Sequence, residues 1–131
     1  MIHELKNIFE KAYNSFLRKE KCVLASVVAL DGTSYRKPWV RMIITQSGKM
    51  VGAVSGGCVE KDIAQRAQNV FKTNEPIVMA YDGRYRLGCQ GTLYILIEPF
   101  KVDDKNYKAF QVHLEKREPV VLASFFKKED N

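Results

Sequence analysis

The feature that most constrains the fold of this chain is a continuous apolar run, Cys22–Leu30, with the sequence CVLASVVAL. It is rich in β-branched residues and shows no alternation of apolar and polar positions. This pattern is typical of a strand that is covered on both faces. The chain is therefore expected to place helices or further strands above and below a sheet. The residues that follow, Asp31–Ser34, have turn chemistry and are predicted to close the strand.

The remaining elements follow from apolar periodicity. Helical stripes occupy residues 4–20 and 59–71, the second ending before Pro76, and Asp103 or Asp104 can cap a third helix that carries Tyr107, Phe110 and Leu114. Strands are predicted at 40–46, 50–54, 77–81, 92–97 and 120–126, with a tight turn at Ser47–Lys49. We expect an α/β (α+β) fold with a mixed β-sheet of about five to six strands and about three helices. Residues 1–131 are interpreted as a single domain.

Composition limits the compartment and the partners. The chain has 131 residues and three cysteines, and its formal net charge is +6. An odd, small number of cysteines favours a reducing compartment, and a signal peptide or membrane-length apolar segment is absent from this sequence. We therefore expect a cytoplasmic protein without membrane contact. The positive charge favours anionic partners, namely phosphates, nucleic acid or an acidic protein surface, and does not choose among them. Nucleic-acid binding needs a basic face interleaved with exposed aromatics; it stays open but is not favoured.

Three loops combine glycine with a cation or a thiol. The first, 32–38, contains Arg36, and Arg41 follows it. Arginine can hold an anion bidentately. The alternative interpretation is a solvated basic turn.

The second loop joins a predicted strand to a predicted helix and comprises Ser55, Gly56, Gly57, Cys58 and, two residues on, Glu60. Glycines allow a backbone to approach a ligand closely, and a helix N-terminus offers unpaired N–H groups to an anion. A thiol at that position has a lowered pKa and raised reactivity. The alternative is a glycine-rich turn with a small packed cysteine.

The third loop, 83–91, leads into a strand and again sets a cysteine among glycines: Gly88, Cys89 and Gly91. The two glycine-flanked cysteines can converge if their strands are neighbours. Cys22 opens the apolar run and is predicted to be a core residue. No zinc is expected, because the sequence has no C-x-x-C and its only histidines are His3 and His113.

The three loops together resemble the xanthine dehydrogenase accessory family of the XdhC/CoxI type. The resemblance rests on three segments, 32–42 (GTSYRKPWVRM), 52–60 (GAVSGGCVE) and 87–93 (LGCQGTL), supported by Ile97–Pro99. It covers most of residues 5–126. The sequence departs from the family at Tyr35, at Trp39-Val40 and at Gln90, where relatives usually carry Pro, Gly-Ala and Gly. The Rossmann-like C-terminal domain of the family is absent from this sequence.

The resemblance implies a molybdenum cofactor-binding maturation or insertion factor, a chaperone for a xanthine dehydrogenase-type molybdenum hydroxylase. The apoenzyme would be the partner, together with a sulfurtransferase or a second copy of the chain. The molybdopterin would be bound transiently, with Cys58 as a molybdenum ligand. Its implied binding residues are Arg36, Arg41, Ser55, Gly56, Gly57, Cys58, Glu60, Gly88, Cys89 and Gly91. The alternative is a thiol-based redox or sulfur-transfer enzyme with Cys58 as nucleophile and Cys89 as resolving thiol, so catalytic activity stays open.

Overall fold

A computed structural model describes residues 2–32, 40–52, 58–82 and 91–116. Three helices and five strands lie in these ranges: α1 (Ile2–Leu17), β1 (Cys22–Gly32), β2 (Arg41–Thr45), β3 (Met50–Gly52), α2 (Cys58–Thr73), β4 (Ile77–Asp82), β5 (Gly91–Pro99) and α3 (Asp104–Lys116). The predicted α+β class and three helices are confirmed. The strand predicted at 120–126 lies outside the described residues.

The apolar run forms the central strand. The sheet has the order β3-β2-β1-β5-β4, and every β1 side chain from Cys22 to Val28 is buried. The prediction of a strand covered on both faces is therefore confirmed. The predicted turn at Asp31–Ser34 begins too early, because Asp31 pairs with Thr92 and Gly32 with Gly91, which extends β1 through Gly32.

The predicted mixed sheet is wrong for the described strands, since every neighbouring pair is antiparallel. The reason is the path of α2. This helix connects β3 at one edge of the sheet to β4 at the opposite edge. The two strands joined by the helix run in the same direction but are not neighbours, so the connection creates no parallel pair.

The alternation of side chains along the strands divides the core into two faces. On one face α2 packs against the sheet, and its Val59, Ile63 and Ala67 are fully buried with Val23 and Ile95. On the other face α1 and α3 pack together, with the rings of Phe9 and Phe110 stacked at 4.1 Å. Within the described ranges, no helix has the length and hydropathy needed to cross a membrane.

The sheet has two ends, which we call the Cys22 end and the Gly32 end after the first and last residues of β1. At the Cys22 end the Gln46 amide donates to the Lys21 carbonyl at 2.9 Å, and the Phe100 amide donates to the Cys22 carbonyl at 3.0 Å. Residues with positive φ, Lys19 and Asn74, both at 58°, follow α1 and α2 there. The two backbone hydrogen bonds tie the connecting segments to β1 and hold the register of the strands.

Two predicted local features are confirmed at the Cys22 end. Asp103 caps α3, because its carboxylate accepts a hydrogen bond of 2.8 Å from the Asn106 amide. The turn between β2 and β3 is tight: Gly48 has a φ of 96°, and its amide donates to the Thr45 carbonyl at 2.9 Å. A positive φ favours glycine at this position.

Candidate functional site at the Gly32 end of the sheet

Strand ends bring the three predicted loops to the Gly32 end. Strands β1, β3 and β4 finish there, and β2 and β5 begin there. Gly32 lies opposite Gly91, and Asp82 lies opposite Thr92. The predicted site residues Arg36, Ser55, Gly56, Gly57, Gly88 and Cys89 lie outside the described residues. Arg41, Cys58, Glu60 and Gly91 belong to described elements that border the three loops.

The strands do not all reach the same level at this end. Arg41, the first residue of β2, lies opposite Ser26, whereas β1 continues to Gly32 beside β5. One of the six further residues of β1 is taken up by the bulge between Val27 and Ala29, so at about 3.3 Å per residue β1 extends roughly 17 Å beyond Arg41. In the described residues, the end of the sheet therefore forms a step, with the β2–β3 hairpin below and the β1–β5–β4 group above.

Gly52 lies at the lower level of the step, where the chain leaves β3. Its φ is 85°, and a Cβ atom there would lie 2.7 Å from the Arg41 carbonyl oxygen and 3.2 Å from the Cα of Met42. Contacts under 3.0 Å force a shift, so only glycine fits the close approach of β3 to β2. This backbone approach directly precedes the Ser-Gly-Gly-Cys segment.

The N-terminus of α2 is directed toward the Gly32 end. The helix packs over β1 and β5, and Phe71, near its C-terminus, borders the same cavity as Val23. Cys58 begins the helix 13 residues before Phe71. At about 1.5 Å per residue this is roughly 20 Å, which corresponds to about six residues of strand. The helix runs from the Gly32 end toward the Cys22 end, and the positive end of its macrodipole is directed toward the Gly32 end.

The path of α2 also bears on whether Cys58 and Cys89 meet. Their flanking strands, β3 and β5, are not neighbours, because β2 and β1 lie between them. Neighbouring strands therefore do not bring the two cysteine loops together. However, α2 crosses over β5, and Cys89 lies two residues before β5 begins. The helix starts after β3 and ends before β4, so it passes over β1 and β5 along its length.

Arg41 lies on the other side of the sheet from α2. Its neighbours Val40 and Met42 both pack in the core beneath α2, so alternation directs Arg41 toward the face that carries α1. There it lies opposite Ser26, whose side chain is fully buried and whose hydroxyl has no hydrogen-bond partner among the described residues. Arg41 and the start of α2 therefore do not face one ligand from the same side of the sheet.

Cys22 is the cysteine whose side chain the structure describes, and it is a structural residue. Cys22 is 5% exposed and packs with Leu24 and Ile43 beneath α1, as predicted. Burial raises the pKa of its thiol, so it is protonated at neutral pH. In the part of the chain that the structure describes, no three His, Cys, Asp or Glu side chains lie close enough to hold a metal ion.

Sequence reasoning missed two features of this end: the close approach at Gly52 and the buried hydroxyl of Ser26. A glycine at the end of a short strand was the available signal for the first. Nothing in the sequence marked Ser26, which sits inside an apolar run.

The fold and this step define an α+β domain that carries glycine-rich loops at one end of an antiparallel sheet. The model of the XdhC and CoxI family matches residues 16–82. These residues include the first two motifs and extend from α1 to the end of β4. The chain belongs to the XdhC and CoxI family.

Two relatives extend this comparison. The chain is 32% identical over 88 residues to a probable xanthine dehydrogenase subunit of Bacillus subtilis, a match that covers 61% of this chain and 27% of the relative. It also resembles the crystal structure of a xanthine dehydrogenase from Bacillus halodurans, with a TM-score of 0.62 and 30% identity, covering 82% of this chain and 34% of that one. The chain thus spans about a quarter to a third of the length of these relatives.

Proposed function

We propose that this chain is an accessory factor for a xanthine dehydrogenase-type molybdenum hydroxylase. In this role it would bind the molybdenum cofactor and deliver it to the apoenzyme. The observation that supports the proposal is that the described strands flanking the three family motifs all end or begin at the Gly32 end of the sheet. Family membership and the names of the two relatives support it.

The chemistry of the residues at the Gly32 end fits the cofactor. Molybdopterin carries a phosphate and a dithiolene-bound molybdenum centre, and when bound it supplies the redox-active metal of the partner's hydroxylation chemistry. The 16-residue helix α2 offers the positive end of its macrodipole to the phosphate. Cys58 at its first position supplies a soft thiolate ligand, whose ionised form the dipole favours.

The other motif residues have distinct roles in this proposal. Gly56, Gly57, Gly88 and Gly91 let the backbone approach a flat pterin closely, as Gly52 already does between β3 and β2. Arg36 and Ser55 add donors for the anionic groups, while Cys89 adds a second thiol from the loop before β5.

Two charged residues act from the margins of this site. Arg41 emerges on the face of α1, so we assign it to orienting the cofactor or the partner from beyond the short β2–β3 hairpin. Glu60 lies in the first turn of α2 and moderates the positive dipole there.

Cofactor retention tests the proposal. The purified chain is mixed anaerobically with freshly released molybdenum cofactor and passed through gel filtration, and molybdenum and pterin are assayed in the protein peak. We expect equimolar retention by the wild type and loss of molybdenum in Cys58→Ser. Cys22→Ala is the matched thiol control and should retain both components. Absence of retention by the folded wild-type chain would overturn the proposal, and full retention by Cys58→Ser would overturn the role of Cys58.

A second candidate function, thiol redox or sulfur transfer, is favoured by the position of Cys58 as the first residue of the 16-residue helix α2, where the macrodipole stabilises a thiolate. Alkylation rates of Cys58 measured against pH test it. A thiol pKa near 7 or lower supports a nucleophilic role, whereas a value near the free value of about 8.5 contradicts it. Cys58 can be distinguished from Cys22 in this assay because the buried Cys22 thiol should react only slowly.

A further inference from the structure

The Cys22 end carries a cavity that the family motifs do not reach. Its volume is about 340 Å³, which lies at the small end of the range for sites that bind small molecules. The walls come from the C-terminal halves of α1 and α2 and from the adjoining ends of β1 and β5. All of these elements belong to the described part of the chain.

The walls of the cavity are mainly apolar and partly aromatic. Phe16, Phe71 and Phe100 contribute three rings, and Val23 and Val70 form part of the buried floor. Phe16 and Phe100 are half-buried, so parts of both rings stay accessible from the cavity. An apolar body of about the size of a ring system gains contact area there without rearrangement of the core.

Three exposed lysines, Lys19, Lys21 and Lys101, border the same cavity. Lys21 donates a hydrogen bond of 3.1 Å to the Phe71 carbonyl in the last turn of α2. It therefore complements the negative end of that helix. The Nζ of Lys101 lies 5.3 Å from the centroid of the Phe16 ring, over an aromatic wall of the cavity.

The charge balance at the rim remains positive after the local negative groups are counted. The C-termini of α1 and α2 contribute about half a negative charge each, which one lysine offsets. Glu20 also borders the cavity, but its carboxylate accepts a hydrogen bond from the Ser47 amide at 3.1 Å and lies 3.6 Å from Arg18. Lys19 and Lys101 therefore supply positive charge that these groups do not neutralise.

We propose that this cavity binds a small organic anion with an aromatic or branched apolar body. The body would lie among Phe16, Phe71 and Phe100, and its anionic group would lie between Lys19 and Lys101. The apolar walls explain the preference for a ring-sized body, and the surplus charge explains the preference for a carboxylate or a similar anion over a neutral analogue. The site is independent of the proposed cofactor site, because it uses the opposite end of the sheet.

The experiment compares two probes of nearly the same shape, of which one is an anion and the other is neutral. Uniformly ¹⁵N-labelled protein is titrated with naphthalene-1-carboxylate and, in parallel, with naphthalene-1-carboxamide, and amide shifts are followed by NMR. We expect saturable shifts at Val23, Phe71 and Phe100. The carboxylate should bind roughly fivefold more tightly at low salt, and high salt should reduce the difference.

Variants separate the two parts of the site. Lys19→Gln and Lys101→Gln should each weaken carboxylate binding about two- to threefold and leave carboxamide binding unchanged, since they remove charge alone. Phe16→Ala should weaken both probes by about fivefold. Lys105→Gln, an exposed lysine on α3 outside the cavity, is the matched control and should change neither.

Three outcomes would overturn the proposal. These are the absence of saturable shifts, shifts confined to residues outside the cavity, and equal affinity for the two probes at low salt. Because the titration follows individual amides of the folded chain, each outcome can be read without any result on cofactor retention.

Discussion

The two ends of the sheet are built for different purposes. At the Cys22 end, short connections are tied to the strands by backbone hydrogen bonds, and Lys19 and Asn74 reverse the chain directly after α1 and α2. At the Gly32 end, the described strands stop at two levels about 17 Å apart, and the segments that connect them carry the family motifs.

This difference concerns the described connections. The core faces and the turns of the Cys22 end hold the register of the sheet. The Gly32 end combines the close backbone approach at Gly52 with the glycines, cations and thiols of the family motifs. Changes at the two ends should accordingly have different consequences.

The largest expected effect compares two glycines with similar backbone angles, one at each end. Gly48 has a φ of 96°, and a Cβ atom added there would meet no atom within 4 Å. Gly52 has a φ of 85°, and a Cβ atom added there would lie 2.7 Å from the Arg41 carbonyl oxygen. Gly48→Ala should cost about 1–2 kcal/mol from backbone strain alone. Gly52→Ala should cost about 3–4 kcal/mol, because the clash adds to the strain.

Urea unfolding of both glycine variants measures this difference in the free energy of unfolding. Equal losses would show that β3 can move away from β2, and the close approach at the step would then not be a constraint.

An intermediate effect is expected at Asn74, the left-handed residue that follows α2. Asn74→Ala should lower the free energy of unfolding by about 1 kcal/mol, because alanine tolerates a φ of 58° less well than asparagine does. Asn74→Gly should be neutral or slightly stabilising. Thermal unfolding of both variants measures these changes in stability. Gln68→Ala, on the exposed face of α2, is the control. Similar losses for the alanine and glycine variants would contradict it.

The smallest effect is a pH dependence at the Cys22 end. Hydrogen bonds from the Ser47 hydroxyl and amide, with the nearby Arg18, hold the pKa of Glu20 below its usual value. A lowered pKa in the folded state means that the carboxylate stabilises the fold above the unfolded-state pKa of about 4.3, and that this contribution is lost as the pH falls through the folded-state pKa.

Glu20→Gln should therefore cost less than about 1 kcal/mol at pH 7. The gap between the variant and the wild type should close in acid. Urea unfolding at a series of pH values measures the difference in the free energy of unfolding between the variant and the wild type. If this difference persists well below the folded-state pKa, its cause is packing and not the charge of Glu20.

The sequence predicted the parts of this molecule that depend on local patterns. The apolar run of β1, the stripe of α2 and the Asp103 cap each follow from neighbouring residues, and each is confirmed. The antiparallel pairing was not predictable in the same way. It depends on α2 crossing from β3 at one edge to β4 at the other, and the length and composition of a helix do not specify which strand it returns to.

The candidate site was predicted as a set of motifs but not as an arrangement. Local chemistry identified Cys58 as the start of a helix, and the structure confirms it as the first residue of α2. The face occupied by Arg41 depends on the register of β2 against β1, which no property of Arg41 itself reveals. The role of the individual motif residues in cofactor binding stays a prediction.

The insertion of β5 between β1 and β4 has a consequence for how the chain folds. Gly32 pairs with Gly91 and Val23 with Pro99, so the ladder at the centre of the sheet joins segments far apart in sequence. Until β5 arrives, β1 and β4 each present an unpaired edge toward the gap. Long-range pairing of this kind slows folding. A nascent chain that has emerged only as far as Asp82 would hold four of the five strands and still lack the one that unites them, which makes that stage of synthesis the most exposed to aggregation.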